Sequence, residues 1–255
     1  SKMFAAGVNC LDCHDRHTMK VKVKGNGLCL QCHSAEEYQA EKHHLHDTNS
    51  EGAQCVNCHM PETRYMGVDD RRDHSFKIPR PHVSKQFGTP NACLNCHQDK
   101  DNDWAISELK TAHGKINQVS SSEKRFMQLQ SGQAMSLSDH FAIIDDESLS
   151  VITRATAIQL LPMSSQSLAK DMLIPYLTHK EALLRLSAVM VGGLLPRHEQ
   201  SQLLSERLKD PLKSIRIEAA RGLLNQGLQS HNQALFTKAF NELVNANQVS
   251  IWRGE

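Results

Sequence analysis

The chain has 255 residues, 39 % of them apolar, which suffices for one large domain or two modest ones with a folded core. Its formal charge of +1 gives no basic surplus, and no apolar run is long enough to span a bilayer. The first residues lack the charged start and apolar stretch of a signal peptide.

In chain order, the first pattern is a five-residue word that occurs four times. It reads CLDCH (Cys10, Cys13, His14), CLQCH (Cys29, Cys32, His33), CVNCH (Cys55, Cys58, His59) and CLNCH (Cys93, Cys96, His97). This is the attachment signature of c-type haem. Two thiols three positions apart meet the two vinyl groups of one porphyrin edge, and the histidine that follows supplies the proximal nitrogen to iron. The competing reading of such pairs is two zinc sites of four thiolates each; the histidine after every pair favours haem. All eight cysteines lie inside the words, so none is left for a disulfide. The expected cofactor load is four haem c, with His14, His33, His59 and His97 as proximal ligands.

From Cys10 to His97 each word has about 22 residues to itself, too few to wrap four cofactors separately, so the haems must pack closely. Porphyrin faces can stand in for scarce aromatics, which make up 5 % of the chain. Two propionates per haem add about −8 in all. An acidic holoprotein argues against a nucleic-acid partner. Haem attachment to this motif is ordinarily extracytoplasmic, so the chain reads as a mature or excised form of an exported protein, periplasmic or extracellular.

Between the words, VKVKGNG (Val21 to Gly27) alternates and then turns, which suits a short hairpin arm or exposed strand on one reading and a solvated loop on the other. Asp99, Asp101 and Asp103 predict the start of a helix carrying Trp104, Ile106 and Leu109, with Gly114 ending it. From about Ser120 the composition turns to Leu, Ala, Ser and Gln without cysteine. Here RATAIQLLP from Arg154, RLSAVMVGG from Arg185 and RIEAARGLL from Arg216 recur every 31 residues, and Ala157, Ala188, Ala219 and Leu173, Leu204, Leu235 keep step. Such a period, built from helix pairs, marks an α-solenoid. A helix with Phe126 and Leu129 is expected to cap it, and the repeated arginines are expected to brace the turns. The predicted fold is mostly α: an irregular, haem-packed tetrahaem cytochrome c domain over residues 1–118, then a HEAT-like α-solenoid over 119–255.

Four irons need four more axial ligands if each is six-coordinate, and eleven histidines lie outside the words. His17 is tethered too closely to His14 to reach the far face of its own iron, so it is assigned to a neighbouring haem. The loop HHLH (His43, His44, His46) is expected to supply two ligands. His74 lies in RRDHSFKIPRP, where Arg71, Arg72, Lys77 and Arg80 suit propionates. His82 and His113 are weaker substitutes. His140, His179, His198 and His231 read as surface residues of the helical part. Ligation by Met3, Met19, Met60 or Met66 would raise the iron potential, but abundant histidine disfavours it.

The stretches SKMFAAGVNCLDCHDRH, HHLH with GAQCVNCHMP, DDRRDHSFKIPRP and GTPNACLNCHQDK, followed by the DWA that holds Trp104, resemble a family of bacterial multihaem cytochromes c whose haem region precedes HEAT or tetratricopeptide-like repeats. His17, His43, His46 and His74 match positions where that family usually has histidine, while DRH replaces its more usual DPH. The resemblance implies the C-terminal tetrahaem portion of a longer cytochrome or a naturally short relative. If the family's upstream half carries the substrate haem, this portion would be a relay.

The function expected from these readings is electron transfer through four closely packed, mainly bis-histidine haems, with the repeats as docking surface. Its partners would be other redox proteins: a cytochrome, a reductase subunit or a quinol-oxidising membrane complex. The alternative is a reductase of a small nitrogen or sulfur oxyanion, which needs one open iron.

Overall fold

A computed structural model describes residues 2–116, 118–224 and 233–252. The chain is mostly helical and divides into two compact units, Ser1–Gln118 and Val119–Glu255.

In the first unit the helices are short. They are α1 (Lys2–Ala5), α2 (Cys10–Cys13), α3 (Ala35–Tyr38), α4 (Glu41–His44), α5 (Cys55–His59), α6 (Pro81–Phe87) and α7 (Asn102–His113), with 3₁₀ turns at Gly25–Gln31, Glu51–Ala53 and Ala92–Asn95. Single turns of this length do not hold alone in water. Only α7 is of ordinary length, and it begins and ends where the sequence predicts. The Asp101 carboxylate accepts from the Trp104 N–H at 2.8 Å, and Gly114 closes the helix at φ +70°.

No hairpin forms at Val21–Gly27. Val21 makes an isolated bridge to His14, Val21 and Val23 stay exposed, and the chain then enters the 3₁₀ turn at Gly25. The hairpin lies further on, where β1 (Glu62–Tyr65) pairs antiparallel with β2 (Asp69–Arg72), Glu62 opposite Arg72 and Tyr65 opposite Asp69. β2 is charged on both faces and every residue of β1 is exposed, so no apolar face gives warning of them. Left-handed φ at Met66 (+51°) and Gly67 (+77°) makes the turn. Ion pairs Arg64–Asp70 and Arg72–Glu62 cross it, and the Arg71 guanidinium lies 4.2 Å from the Tyr65 ring centre.

Buried apolar side chains are few here. Among the described residues of this unit they are Ala53, Pro81, Val83 and Ala105, whereas Leu11, Met19, Val21, Leu45, Val68 and Ile78 are exposed. A unit of this size cannot offset its chain entropy with four small apolar side chains. The fold therefore calls for apolar material that the polypeptide itself lacks.

The second unit has its own core, which runs from Leu129 to Ala239. Its helices are α8 (Ser121–Gln130), α9 (Leu137–Ile144), α10 (Val151–Gln159), α11 (Ile174–Leu177), α12 (Ala182–Gly192), α13 (Arg197–Leu204), α14 (Lys213–Leu223) and α15 (Gln233–Trp252). Serine side chains cap α8, α9 and α10, with a full capping box of Ser120 and Glu123 on α8. Packing of α10 on α12 and of α12 on α14 follows the 31-residue spacing, and α14 packs in turn on α15. Ala157, Ala188 and Ala219 fall at matching places on α10, α12 and α14 with no exposed surface, and Leu173 and Leu204 are equally buried in the segments between. Small residues at these places let the helices approach closely.

The repeated arginines brace turns in two of the three repeats. Arg185 Nη1 donates to the carbonyls of His179 and Lys180, at 2.9 and 3.0 Å, while Nε and Nη2 donate to Asp210. Arg216 copies the arrangement on the carbonyls of Asp210 and Pro211 and pairs with Glu242. Arg154 instead donates to the Ile144 carbonyl at 2.6 Å. One surface expectation fails: His140 is completely buried in α9, while His179 is half-buried, His198 is exposed and His231 lies outside the described residues.

The Arg185–Asp210 pair is largely buried, at 13 % and 3 % side-chain exposure. Asp210→Ala strands the guanidinium and should cost the second unit about 3–5 kcal/mol, read by urea unfolding followed by far-ultraviolet circular dichroism. Burial alone would push the Asp210 carboxyl up. Hydrogen bonds from Arg185 and the Leu212 N–H, with the charges of Arg185 and Arg207, outweigh it and hold the group below its ordinary value. Its contribution is therefore complete above pH about 4 and is lost as pH falls through the depressed value. Because this unit has its own core and caps, the fragment from Val119 onward should be soluble and unfold cooperatively as a helical protein without haem. A disordered far-ultraviolet spectrum from that fragment would contradict a self-sufficient core.

Candidate haem sites

Each CxxCH word begins on a helical turn, α2, the 3₁₀ turn Gly25–Gln31, α5 or the 3₁₀ turn Ala92–Asn95, with Cys32 and Cys96 as the C-caps of the two 3₁₀ turns. A turn of helix puts residues i and i+3 on one face, as two thioether bonds to one porphyrin edge require. All eight cysteines are free of disulfides. Among the described residues no three His, Cys, Asp or Glu side chains converge as a metal cluster.

The words adjoin one another in chain order. Burial raises the Cys13 thiol pKa, and Cys29, Asp12 and Cys32 raise it further. A hydrogen bond shared by Cys29 and Cys55 pushes the first thiol up and the second down. Burial raises Cys58 as well, with Cys93 and Cys96 adding to it. Asn26 joins the second word to the third, since its side chain donates to the Ala53 carbonyl at 2.8 Å and accepts from the Cys55 N–H at 2.9 Å.

Three proximal histidines face a second histidine ring. His14 and His74 have ring centres 6.2 Å apart, His59 and His43 6.1 Å, and His97 and His46 5.8 Å. Metal–nitrogen bonds of about 2 Å on either side of one ion, with about 1 Å from each nitrogen to its ring centre, give about 6 Å. The separations suit an iron between each pair.

Hydrogen bonds fix how these rings present themselves. Backbone carbonyls only accept, so each Nδ1 they hold carries the proton and Nε2 keeps its lone pair. The carbonyl of Met19 holds His14 Nδ1 at 2.7 Å, that of Lys77 holds His59 at 2.9 Å, and that of Arg72 holds His74 at 2.9 Å. Met19 is in the left-handed region at φ +56°, uncommon for a residue with a side chain.

The HHLH loop separates into two kinds of histidine. His46 Nδ1 donates to the His44 carbonyl at 2.5 Å, and the His46 N–H donates to His44 Nδ1 at 3.3 Å. His44 Nε2 donates to the Gln39 carbonyl at 3.2 Å, so both its nitrogens are engaged and it braces its neighbours. Gly52 seats the His46 ring. A Cβ there would overlap Cδ2 and Cγ of His46 and come within 2.7 Å of Nε2. We therefore expect Gly52→Ala to displace His46 and produce a high-spin fraction at the His97 iron, measured by electron paramagnetic resonance (EPR) of the oxidised protein.

His17 is exposed. Its N–H donates to Asp15, and among the described residues no ring contact joins it to a proximal histidine. His33 instead meets Tyr38 edge-on at 5.2 Å. Both ring nitrogens of His82 are buried without a hydrogen-bond partner, and burial followed by the Arg80 charge lowers its pKa. Three of the four cations expected to serve propionates have carboxylate partners within the chain: Arg71 with Asp69, Arg72 with Glu62 and Lys77 with Asp73. Sequence reasoning missed Tyr38, the seat at Gly52 and the packing of Trp104 on His97 at 4.6 Å. For Tyr38 a signal existed, because it stands five residues from both His33 and His43.

These turns and ring pairs define a protein that binds covalent c-type haem. Residues 2–38 match the family described as Doubled CXXCH motif. No curated protein and no solved structure matches the chain.

Proposed function

We propose that the chain is an exported tetrahaem electron-transfer protein whose irons are closed by two histidines each. The observation that carries this reading is the set of three histidine pairs with ring centres about 6 Å apart. On it, His14 and His74 hold one iron, His59 and His43 a second, and His97 and His46 a third. His17 is the ligand left for the iron of His33. Bound haem supplies one-electron chemistry at iron, with a potential set by its axial ligands and hydrogen bonds. The chain fixes ring tautomers through the Met19, Lys77, Arg72 and His44 carbonyls, so that each Nε2 is free to ligate. Two nitrogen ligands give a lower potential than a histidine and methionine pair.

The helical repeats, read as a HEAT-like solenoid, would serve as an extended docking surface for a cytochrome, a reductase subunit or a quinol-oxidising membrane complex in the periplasm or outside the cell. No helix among the described residues is long and apolar enough to cross a membrane. Near-infrared magnetic circular dichroism of the oxidised protein tests the ligation, with bis-histidine bands expected for all four irons. A histidine–methionine band at any site would overturn the assignment there. The rival reductase reading requires an open iron, and the His33 site, whose ring meets Tyr38, is the first place to look for it. Turnover of nitrite or hydroxylamine by the unmutated protein would favour that rival.

A further inference from the structure

The segments that carry Cys29 and Cys55 are joined twice over. The Asn26 side chain of the first holds the backbone of Ala53 and Cys55 in the second. The second link is an aromatic ring. Tyr38 ends α3 and lies 5.2 Å from His33 at an interplanar angle of 82°, and 5.2 Å from His43 at 85°. His43 faces His59, the proximal histidine of the third word, at 6.1 Å. Four rings thus run in series, His33, Tyr38, His43 and His59, from one iron site to the next.

We infer that Tyr38 is a positioning residue shared by two iron sites, and that the His33 site and the His43–His59 site form a coupled pair within the relay. This inference rests on the ligand reading proposed above. A ring wedged edge-on against two imidazoles restricts rotation of both. Neither imidazole can turn about its metal–nitrogen axis without displacing the phenol, and the phenol then presses on the other. Ligand-plane orientation at the two sites is therefore set together. Because the contacts are made by the ring, Phe should serve in place of Tyr, whereas Leu should not.

The test uses the full-length holoprotein carrying Tyr38→Leu or Tyr38→Phe, read by EPR of the oxidised form. In the Leu variant two of the four low-spin signals should move in g value, and the signal abolished by His74→Ala should not be one of them. The Phe variant should keep all four in place. Stepwise reduction of the unmutated protein provides a second measurement. Reduction of one member of the pair should change the line shape of the other. A Leu spectrum identical to the unmutated one, or one in which a single signal or all four move, would overturn the inference. Should the Leu variant fail to mature with its haems, the reductive titration decides, and four signals that titrate without influencing one another would sink the pairing. A methionine ligand at the His33 or His59 iron would instead defeat the ligand reading beneath it, whatever Tyr38 does.

Discussion

Replacing His74 with Ala should open one iron of four. On the proposed ligation, with two nitrogens on each iron, the unmutated oxidised protein is expected to be wholly low-spin, and its reduced form should not bind carbon monoxide. In the variant a high-spin fraction should arise, and carbon monoxide should bind at one site per molecule. That site is the iron of His14, whose ring lies 6.2 Å from that of His74. The His59 and His97 sites should stay closed, since His43 and His46 reach them from a separate loop. The proximal ring should keep its tautomer as well, because the Met19 carbonyl that holds it is untouched. A high-spin iron already present in the unmutated protein, with nitrite or hydroxylamine turned over there, would replace the relay with the reductase.

The second large effect is cofactor load. Intact-mass measurement should give the polypeptide plus four covalent haems, one for each pair of thiols at positions i and i+3. Bonds of this kind survive denaturation, so the mass should persist after unfolding in acid and organic solvent. Changing Cys55 and Cys58 to Ser should remove one haem from the mass, and the His43 ring would then have no iron to meet. Tightly bound zinc with no covalent haem would refute the entire assignment.

The attachment words were legible because their chemistry fixes a contiguous spacing. Helix α7 was legible for a similar reason, since a cap, an amphipathic run and a closing glycine are all local. The repeats could be read because they copy themselves every 31 residues. What escaped depends on separations in space. Nothing local says that His74 faces His14, across sixty residues of chain, or that Gly52 leaves room for the His46 ring. His44 and His46 look alike in the sequence, and only their hydrogen bonds make one a brace and the other a free Nε2. The hairpin Glu62–Arg72 was hidden because neither strand buries a face, so the alternation that marks a buried face does not apply. Likewise the burial of His140 contradicts its polar character, and no periodic signal marks it.

Ala53, Pro81, Val83 and Ala105 are a thin interior for the first unit, and this bears on how the protein is made. Where cofactor supplies the apolar mass, maturation and folding become one reaction. The nascent segment reaches its attachment apparatus as an open chain, with its thiols accessible because little structure has yet formed around them. Each covalent addition then removes conformational freedom from about 22 residues and draws the next word nearer to its neighbour. A chain that stalls partway remains extended and open to proteases, while the second unit, with its own interior, can already be folded. Under iron limitation the amount of this protein should therefore fall through degradation of unfinished chains, and those that persist should be fully loaded.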